Sequence, residues 1–486
     1  MARFVKRISL AILVIAVVLA AIVLLSPGAV RPVNPRLAEF GETFEHQFER
    51  LEANRGEHDD LVVLAFSGGG TRAASFSYGV LEALRRIEIT SHEGRTMRLL
   101  DEVDLITGVS GGSFTALAYG LYGEKLFTDY EQQFLKRDVQ KAITLRTLNP
   151  LNWHALLSRG WGRSELAANL YDEVLFHGAT FADLESAGGP VIVVGATELA
   201  TGSRVVFVPQ NFDVMCADLH GFRLARAAAS SSAVPVVLAP LTINNYGGTC
   251  GYQEPPWLEQ FRSAEKPPRP AGRVLKRLRE LEELDNAVED PYFHLVDGGV
   301  SDNLGLRGVL DSLETFEALR LAGHMTRLDH IRRLILIVVN AVSVPSTDWN
   351  LDEDPPATLS VLMKATGVPI QRYSSESVEL LRDIDARWAA MRHIRDSIAA
   401  SNQSTVSVAG LENAPNVDIF TVEVSFQVLQ DRAERDYLNQ LPTSFVLSPE
   451  QVDRLRAAAA SILVASPDLM EALAEEHVHV LDPGPN

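Results

Sequence analysis

LVVLAFSGGGTRAASFSYGVLEALRRI, the stretch from Leu61 to Ile87, joins an apolar run to a segment with helical spacing through three consecutive glycines. Apolar runs of this length that end at glycines are typical of strands buried on both faces of a sheet. The stretch therefore predicts a strand over Leu61–Phe66, a turn over Ser67–Gly70 and a helix over Thr71–Ile87.

Similar apolar runs recur along the chain and alternate with helical segments. They lie at Val103–Gly108, Pro190–Leu199, Arg204–Pro209, Tyr292–Val296, Arg333–Ala341 and Val417–Phe426. This alternation predicts one α/β fold, an α/β/α sandwich with a mostly parallel central sheet. Helical insertions are expected at residues 253–290 and in the C-terminal part.

The composition excludes several classes of protein. The 486 residues are 46% hydrophobic and 22% charged, which is an ordinary globular balance and excludes disorder and collagen-like fibres. The net charge of −19 argues against nucleic acid as a partner. Two cysteines are too few for a disulfide-stapled small fold or for a metal site built from four cysteines.

The N-terminus carries a basic flank followed by an apolar run. Arg3, Lys6 and Arg7 precede Ile8–Leu25, whose only polar member is Ser9. As a helix these 18 residues span roughly 27 Å, close to the ~30 Å hydrocarbon core of a bilayer. The run predicts an uncleaved transmembrane signal anchor, with a cleaved signal peptide and a buried core helix as alternatives. The positive-inside rule then places the catalytic domain of this single-pass protein outside the cytoplasm, in the periplasm if the source is Gram-negative.

Cys216 and Cys250 lie in similar loop-like surroundings. The compartment expected from the anchor is oxidising, which favours a disulfide between them. Sequence does not give the distance between two cysteines, so a bridge and a pair of unpaired buried thiols both remain open.

The glycine triplet of the opening stretch is a candidate anion site. Consecutive glycines allow close backbone approach, and the following helix start favours negative charge. A P-loop would need a lysine that is absent here, and Ala73 stands where a dinucleotide-binding loop has its last glycine. An oxyanion hole and a tight structural turn are the remaining interpretations.

GVSGG, at Gly108–Gly112, lies between a predicted strand and a predicted helix. This Gly-x-Ser-x-Gly pattern is typical of a nucleophile elbow, in which a strained turn exposes the serine. Ser110 is therefore the candidate nucleophile, and the glycine triplet about 40 residues earlier becomes its candidate oxyanion hole.

A serine nucleophile needs a base, and the best candidate is Asp297. It ends an apolar strand and opens DGGVSDNLG, which presents a carboxylate at the edge of the sheet where Ser110 emerges. A dry, apolar site would raise its ordinary pKa of ~3.9 toward a useful value. A turn-capping aspartate is the structural alternative. None of the 12 histidines lies in an obvious loop motif.

GGGTR, GVSGG and DGG, in this order, resemble the patatin-like phospholipase family. The resemblance covers about Leu61 to Pro345 and includes the small-residue stretch Arg226–Pro240. It implies a patatin-like fold and a Ser–Asp dyad without histidine. The residues carried over are Ser110 as nucleophile, Asp297 as base, Gly68, Gly69 and Gly70 as oxyanion hole, and Arg72 beside them. The family often has Asp and Gly where Ser67 and Ala73 stand, which affects only details of the loop.

The sequence thus predicts a membrane-tethered serine lipid acyl hydrolase of the phospholipase A or lysophospholipase type. Its expected partners are a lipid or phospholipid substrate and the membrane, with no metal and no cofactor. The predicted organisation is an anchor over residues 1–30, a linker and helix over 31–60, a catalytic core over 61–345 and a C-terminal extension over 346–486 that packs on the core.

Two alternatives remain open. One is an α/β-hydrolase-like esterase with a Ser–Asp–His triad, in which His324 or His330 follows Asp297 in the required order. The other is a membrane-anchored binding protein that keeps the fold without turnover.

Overall fold

The computed structural model describes residues 17, 21, 30–41, 52, 59–90, 94–235, 237–254, 272–344, 348–400 and 411–481. The strands within these ranges are β1 Asp60–Phe66, β2 Ile87–Thr90, β3 Thr96–Arg98, β4 Val103–Val109, β5 Val191–Glu198, β6 Arg204–Phe207, β7 Leu241–Asn244, β8 Tyr292–Asp297, β9 Arg333–Asn340, β10 Asp418–Ser425 and β11 His477–Val480.

The α-helices within the same ranges are α1 Gly70–Arg86, α2 Gly111–Tyr122, α3 Leu126–Tyr130, α4 Val139–Leu148, α5 Trp153–Leu156, α6 Arg163–Tyr171, α7 Phe181–Ser186, α8 Pro209–Val214, α9 Leu224–Ser231, α10 Gly272–Leu284, α11 Gly299–Asp302, α12 Arg307–Leu321, α13 Thr358–Ala400, α14 Arg432–Asn439, α15 Pro449–Val464 and α16 Pro467–Ala472.

The central sheet has the strand order β10-β9-β1-β4-β5-β8-β7, and β6 pairs with β5. The strands from β10 to β5 are parallel, whereas β8, β7 and β6 run antiparallel to their neighbours. The predicted α/β fold with a mostly parallel central sheet is confirmed. A second, antiparallel sheet has the order β11-β2-β3.

Helices cover both faces of the central sheet, which explains why its strands are continuous apolar runs. In β1, Val62, Leu64 and Phe66 pack into the larger hydrophobic core, which includes residues of α1, α2 and α15. Val63 and Ala65 point the other way, into a second core that includes residues of α12 and α13.

The C-terminal part of the chain joins the same sandwich. β10 extends the sheet beside β9, and α15 packs closely on α1. A Cβ on Gly79 of α1 would lie 2.5 Å from the carbonyl oxygen of Arg456, so the two backbones meet without an intervening side chain. The Arg456 guanidinium pairs with Glu82 of α1 at 2.7 Å. The helix that follows the glycine triplet is thus held by residues late in the chain.

Cys216 and Cys250 form a disulfide with an S–S distance of 2.13 Å, so the expected bridge is confirmed. The carbonyl oxygens of the two cysteines accept hydrogen bonds from the N–H groups of Leu37 and Phe40, each at 2.9 Å. The bridged segments therefore hold the chain that enters the domain.

Among the described residues, no helix combines the length and the apolarity that crossing a membrane requires. The 43 residues of α13 are long enough, but charged side chains recur along it from Lys364 to Asp396. The apolar α2 has only 12 residues. This finding contradicts the predicted localisation as a single-pass membrane protein. The segment Ile8–Leu25, on which that prediction was based, lies outside the described residues except for Val17 and Ala21.

Two further predictions fall partly outside the described residues. In the predicted linker and helix over residues 31–60, residues 31–41 are not helical, and after them only residues 52, 59 and 60 are described. Of the predicted insertion, residues 255–271 are outside the description, and α10 follows them.

Candidate active site

Ser110 lies between β4 and α2 with φ 49° and ψ −119°, a conformation that non-glycine residues rarely adopt. The flanking glycines make this turn possible. A Cβ on Gly111 would overlap the carbonyl oxygen of Gly70, and one on Gly112 would lie 2.6 Å from the carbonyl oxygen of Phe66. The elbow is therefore pressed against the glycine triplet, and strain of about 1–3 kcal/mol at Ser110 is held by this packing.

Ser110 and Asp297 meet in a buried hydrogen bond. Ser110 Oγ donates to Asp297 Oδ2 at 2.7 Å, and the two residues are 3% and 8% exposed. The other carboxylate oxygen, Oδ1, accepts the N–H of Gly299 at 2.8 Å. Both oxygens of Asp297 are therefore oriented, one toward the serine and one toward the turn that follows β8.

Asp297 reaches Ser110 by a route that differs from the sequence-based expectation. Its strand β8 runs antiparallel to β5, with Asp297 opposite Ala196, while Val109 of β4 lies opposite Gly195 on the same strand. The C-terminal end of β8 therefore lies close to the C-terminal end of β4, where Ser110 follows. The neighbouring Gly298 is required there because a Cβ would overlap the carbonyl oxygen of Gly195.

Burial raises the pKa of Asp297 to about 6, while the hydrogen bonds from Ser110 and Gly299 oppose the rise. Removal from water disfavours the charged carboxylate, which makes it a stronger base. A carboxylate with this pKa is ionised at neutral pH and can still accept a proton from a neighbouring hydroxyl.

Ser231, at the end of α9, holds the backbone of the elbow. Its Oγ accepts the N–H of Ser110 at 2.8 Å and donates to the carbonyl oxygen of Gly195 at 2.6 Å. The carbonyl oxygen of Ser231 accepts the N–H of Gly298 at 3.0 Å. Ser231 therefore connects the nucleophile turn to the turn after Asp297. Sequence reasoning missed this role, although the small-residue stretch that contains Ser231 was a signal.

The three glycines of the triplet differ in what their amides do. The N–H of Gly68 donates to the carbonyl oxygen of Asn303 at 2.9 Å, whereas the N–H groups of Gly69, Gly70 and Gly111 have no acceptor among the described residues. A Cβ on Gly68 would lie 3.3 Å from Cβ of Ser110. The triplet therefore lies beside Ser110, and the amide of Gly68 is already hydrogen-bonded to Asn303.

Arg72 follows the triplet, but its guanidinium bonds to distant backbone. Nε donates to the carbonyl oxygen of Ala341 at 2.9 Å, Nη1 to that of Leu441 at 2.7 Å, and Nη2 to Oγ1 of Thr443 at 3.1 Å. All three acceptors are neutral, and burial lowers the pKa of Arg72 to about 10. Arg72 lies beside the triplet, where it ties α1 to two later segments.

Residues Leu441–Ser444, which we call the C-terminal brace, pack directly on the triplet. The carbonyl oxygen of Ser444 accepts the N–H of Thr71 at 2.9 Å, and a Cβ on Gly70 would overlap that same oxygen. Together with the hydrogen bonds of Arg72, these contacts hold the start of α1. They come from a part of the chain that follows the GGGTR, GVSGG and DGG motifs. No pattern in the sequence indicated the brace.

Asn303 is a second residue that sequence reasoning missed. Its backbone carbonyl binds Gly68, and its side-chain oxygen lies 2.8 Å from the position a Cβ on Gly299 would take. The side-chain nitrogen is buried and has no hydrogen-bond partner among the residues that the structure describes.

The histidines of the alternative triad lie away from this pair. His324 and His330 are exposed, and His330 comes just before β9 starts. Because β9 is parallel to β1 and β1 to β4, the start of β9 and the end of β4 are at opposite edges of the sheet. No histidine in the described part of the chain hydrogen-bonds to Ser110 or Asp297. In that same part, no group of three or more His, Cys, Asp or Glu side chains is placed to hold a metal ion.

The chain is similar to several solved structures. Human GIVD cytosolic phospholipase A2 aligns at 11% identity and TM-score 0.39, covering 90% of this chain and 68% of its own. VipD from Legionella pneumophila aligns at 11% identity and TM-score 0.26, covering 93% and 72%. The type III effector protein ExoU aligns at 16% identity and TM-score 0.19, covering 86% and 93%.

A comparison with curated proteins finds no match. The family model described as patatin-like phospholipase matches residues 64–310, slightly more than half of the chain, and this span includes Ser110, Asp297 and the glycine triplet. The chain therefore belongs to the patatin-like phospholipase family, and its chemistry is the hydrolysis of lipid esters.

Proposed function

We propose that the protein releases fatty acids from phospholipids or lysophospholipids through a dyad of Ser110 and Asp297. The observation that carries the proposal is the 2.7 Å hydrogen bond from Ser110 Oγ to the buried Asp297 carboxylate. It puts a nucleophile in direct contact with a base whose pKa of about 6 suits neutral pH.

In the acylation step, Ser110 Oγ attacks the ester carbonyl carbon while its proton moves to Asp297 Oδ2. The carbonyl oxygen becomes an oxyanion. Collapse of the tetrahedral intermediate breaks the bond to the lipid alcohol, and Asp297 returns the proton to that leaving oxygen. The acyl chain is then held as an ester on Ser110.

In the deacylation step, Asp297 takes a proton from a water molecule that attacks the acyl carbon. The second tetrahedral intermediate releases the fatty acid, and Asp297 delivers the proton to Ser110 Oγ. The same carboxylate thus acts as base and then acid in both halves of the cycle, and it ends in its starting ionisation state.

The oxyanion is best served by the amides of Gly69 and Gly70, because both are without an acceptor among the described residues. The amide of Gly111, at the start of α2, is a third candidate, since helix N-termini favour negative charge. Gly68 contributes by its lack of a side chain next to Ser110. One such donor is typically worth about 2.7–4 kcal/mol in the transition state.

The test measures fatty-acid release from phospholipid and lysophospholipid mixed micelles by the full chain and its variants. Ser110→Ala removes the attacking atom and should abolish turnover and labelling by a fluorophosphonate. Asp297→Asn keeps the shape but cannot take the proton, so it should lose most activity. His330→Ala, an exposed change at the opposite sheet edge, is the matched control and should retain activity.

A well-folded Asp297→Asn variant that still turns over, beside an inactive His324→Ala or His330→Ala variant, would support the Ser–Asp–His alternative. A parent chain that binds lipid but neither reacts with the fluorophosphonate nor releases fatty acid would support the non-catalytic binding protein.

A further inference from the structure

Four leucines close together in the chain have exposed side chains. Leu145, Leu148, Leu151 and Leu157, which we call the leucine patch, are 58%, 64%, 64% and 77% exposed. Single exposed apolar residues are ordinary, whereas a contiguous set indicates an interaction surface.

The leucine patch belongs to a single compact unit. Leu145 and Leu148 are three residues apart on α4 and therefore lie on neighbouring positions of its surface. The following turn folds back on α4, because the Asn152 side chain donates to the carbonyl oxygen of Arg146 at 2.8 Å. Trp153 Nε1 donates to the carbonyl oxygen of Thr147 at 3.2 Å. These bonds hold the residues that carry Leu151 and Leu157 against the end of α4.

The surroundings of the leucine patch are basic in a protein that is otherwise strongly acidic. Residues 132–164 contain six Lys or Arg and one Asp, whereas the whole chain has a net charge of −19. Lys141 and Arg159 are exposed and form no ion pair with another described residue. Arg146, in contrast, is paired with Glu173 at 2.5 Å. In the sequence the leucine patch is therefore flanked by two cations, Lys141 and Arg159, without an ion-pair partner among the described residues, whereas Lys136 is paired with Glu131 and Asp453.

Trp153 and Trp161 lie in the same segment and are half-buried. Tryptophan combines a large apolar ring with a polar N–H group, which suits the boundary between water and lipid. Exposed leucines, bordering cations and half-buried tryptophans together fit a layer whose interior is apolar and whose surface is anionic.

The same unit is connected to the elements that frame Ser110. The N–H of Gln140, in the first turn of α4, donates to the carbonyl oxygen of Phe445 at 3.3 Å. Phe445 follows the C-terminal brace, and its ring lies 6.4 Å from that of Phe114, in the helix that starts after Ser110. α4 also packs on α6, which contacts the α9 helix of Ser231.

We propose that the leucine patch and the basic side chains around it dock the protein on the surface of an anionic phospholipid layer. The leucines and tryptophans enter the boundary between headgroups and acyl chains, while Lys141 and Arg159 contact the phosphate groups. This inference rests on the proposed function, since docking at this position brings lipid esters to the elements that carry Ser110.

The test is hydrogen–deuterium exchange of the full chain carrying Ser110→Ala, which prevents hydrolysis during the measurement. Vesicles of phosphatidylglycerol and phosphatidylcholine, at about 3:7, should slow exchange in peptides covering residues 139–163 by fivefold or more. Vesicles of phosphatidylcholine alone should slow it much less, because they lack the net charge. Exchange is read segment by segment, so attachment through another part of the chain does not reproduce this result.

Two sets of variants sharpen the test. Leu148→Ser with Leu151→Ser should remove the slowing, whereas Leu351→Ser should not, since Leu351 is a still more exposed leucine (85%) in another part of the chain. Lys141→Ala and Arg159→Ala should each weaken binding to the anionic vesicles by roughly fivefold. Thermal melts of all variants establish that they are folded.

Unchanged exchange over residues 139–163, in a protein whose parent chain hydrolyses soluble esters in a Ser110-dependent way, would overturn the docking proposal and leave the proposed function standing. Slowed exchange there in a chain that hydrolyses no ester would support docking and reject the proposed function. Slowing that follows protein concentration without vesicles would assign the patch to a second copy of the chain and overturn the lipid proposal.

Discussion

The Ser110–Asp297 pair and the glycine triplet adjoin each other but are held by different parts of the chain. Among the described residues, the hydrogen-bond partners of the pair, including Gly299 and Ser231, lie within residues 64–310, which match the family model. The triplet, in contrast, is followed by Thr71 and Arg72, whose bonds run to Ala341 and to the C-terminal brace.

This difference separates two tasks in the site. A nucleophile and its base need specific side chains in contact, and the motifs around Ser110 and Asp297 supply the proposed pair. The amides that stabilise an oxyanion need only a backbone held in one position. Packing against any other segment can hold a backbone in this way. The family segment therefore carries the proposed reacting groups and, through Asn303, holds Gly68, while residues beyond this segment hold the start of α1 after the triplet.

The largest effect is expected for Asp297→Asn, which tests the first half of the comparison. The amide cannot accept the Ser110 proton, so kcat should fall by roughly 10⁴, as when a buried catalytic aspartate is replaced in a triad enzyme. The measurement is fatty-acid release under single-turnover conditions. A loss below tenfold would show that another group takes the proton.

The same variant should be more stable than the parent at pH 7.5. The folded-state pKa of about 6 exceeds the ordinary 3.8, so the native state binds more protons between these values. Stability therefore falls as the pH rises through this window, by up to about 3 kcal/mol, and the cost is fully present above pH 6. Asparagine does not ionise and therefore removes the cost of burying a charged carboxylate. Thermal melts of the variant at pH 7.5 should show a higher Tm. An unchanged or lower Tm would contradict the raised pKa.

The next effect concerns Gly70→Ala, which tests the contact between the triplet and the brace. Gly70 has φ 61°, and a Cβ would overlap the carbonyl oxygen of Ser444, so the amides should shift and kcat should fall by about 10²–10³. Gly123→Ala is the matched control, because Gly123 has φ 52° but open space around its Cβ position. It should keep near-parent turnover. Equal losses in both variants would attribute the effect to backbone strain alone.

A pH profile gives an intermediate effect. Asp297 must be ionised to act as base, so kcat/KM should fall about tenfold for each pH unit below about 6. The profile should be the same in His330→Ala, since that side chain lies at the opposite sheet edge. Activity that stays level down to pH 4.5 would show that the base is an ordinary, solvated carboxylate.

The smallest effect is expected for Thr443→Val, which removes one of the three acceptors of Arg72. One buried hydrogen bond is worth about 1 kcal/mol, so stability should fall by about that much and kcat by a few-fold. The pH midpoint of the activity should not move, because Asp297 keeps its surroundings. Thr144→Val, which removes an exposed hydroxyl bonded within its own helix, is the control. A shifted midpoint would mean that the brace acts on the dyad itself.

The sheet shows which strands the local sequence pattern could predict. The seven apolar runs predicted as strands are all strands, because burial on both faces leaves a continuous hydrophobic signal. The strands missed were β2, β3, β7 and β11, each of only three or four residues. So short a run shows little of the alternation or apolar continuity on which sequence reasoning depends, although β6, also four residues long, was predicted.

The sequence by itself determined the α/β fold, and it singled out residues that the structure brings together. These residues could be recognised because a sharp turn requires glycine and because a serine or an aspartate follows directly on an apolar strand. Both features are local and are visible in the residue types. Only the tertiary structure decided that β8 enters antiparallel, that the amide of Gly68 is used by Asn303, and that Leu441–Ser444 holds the triplet. The contacts of Asn303 with Gly68 and of Leu441–Ser444 with the triplet depend mainly on main-chain carbonyl oxygens. Every residue has such an oxygen, so no side-chain pattern could predict these contacts.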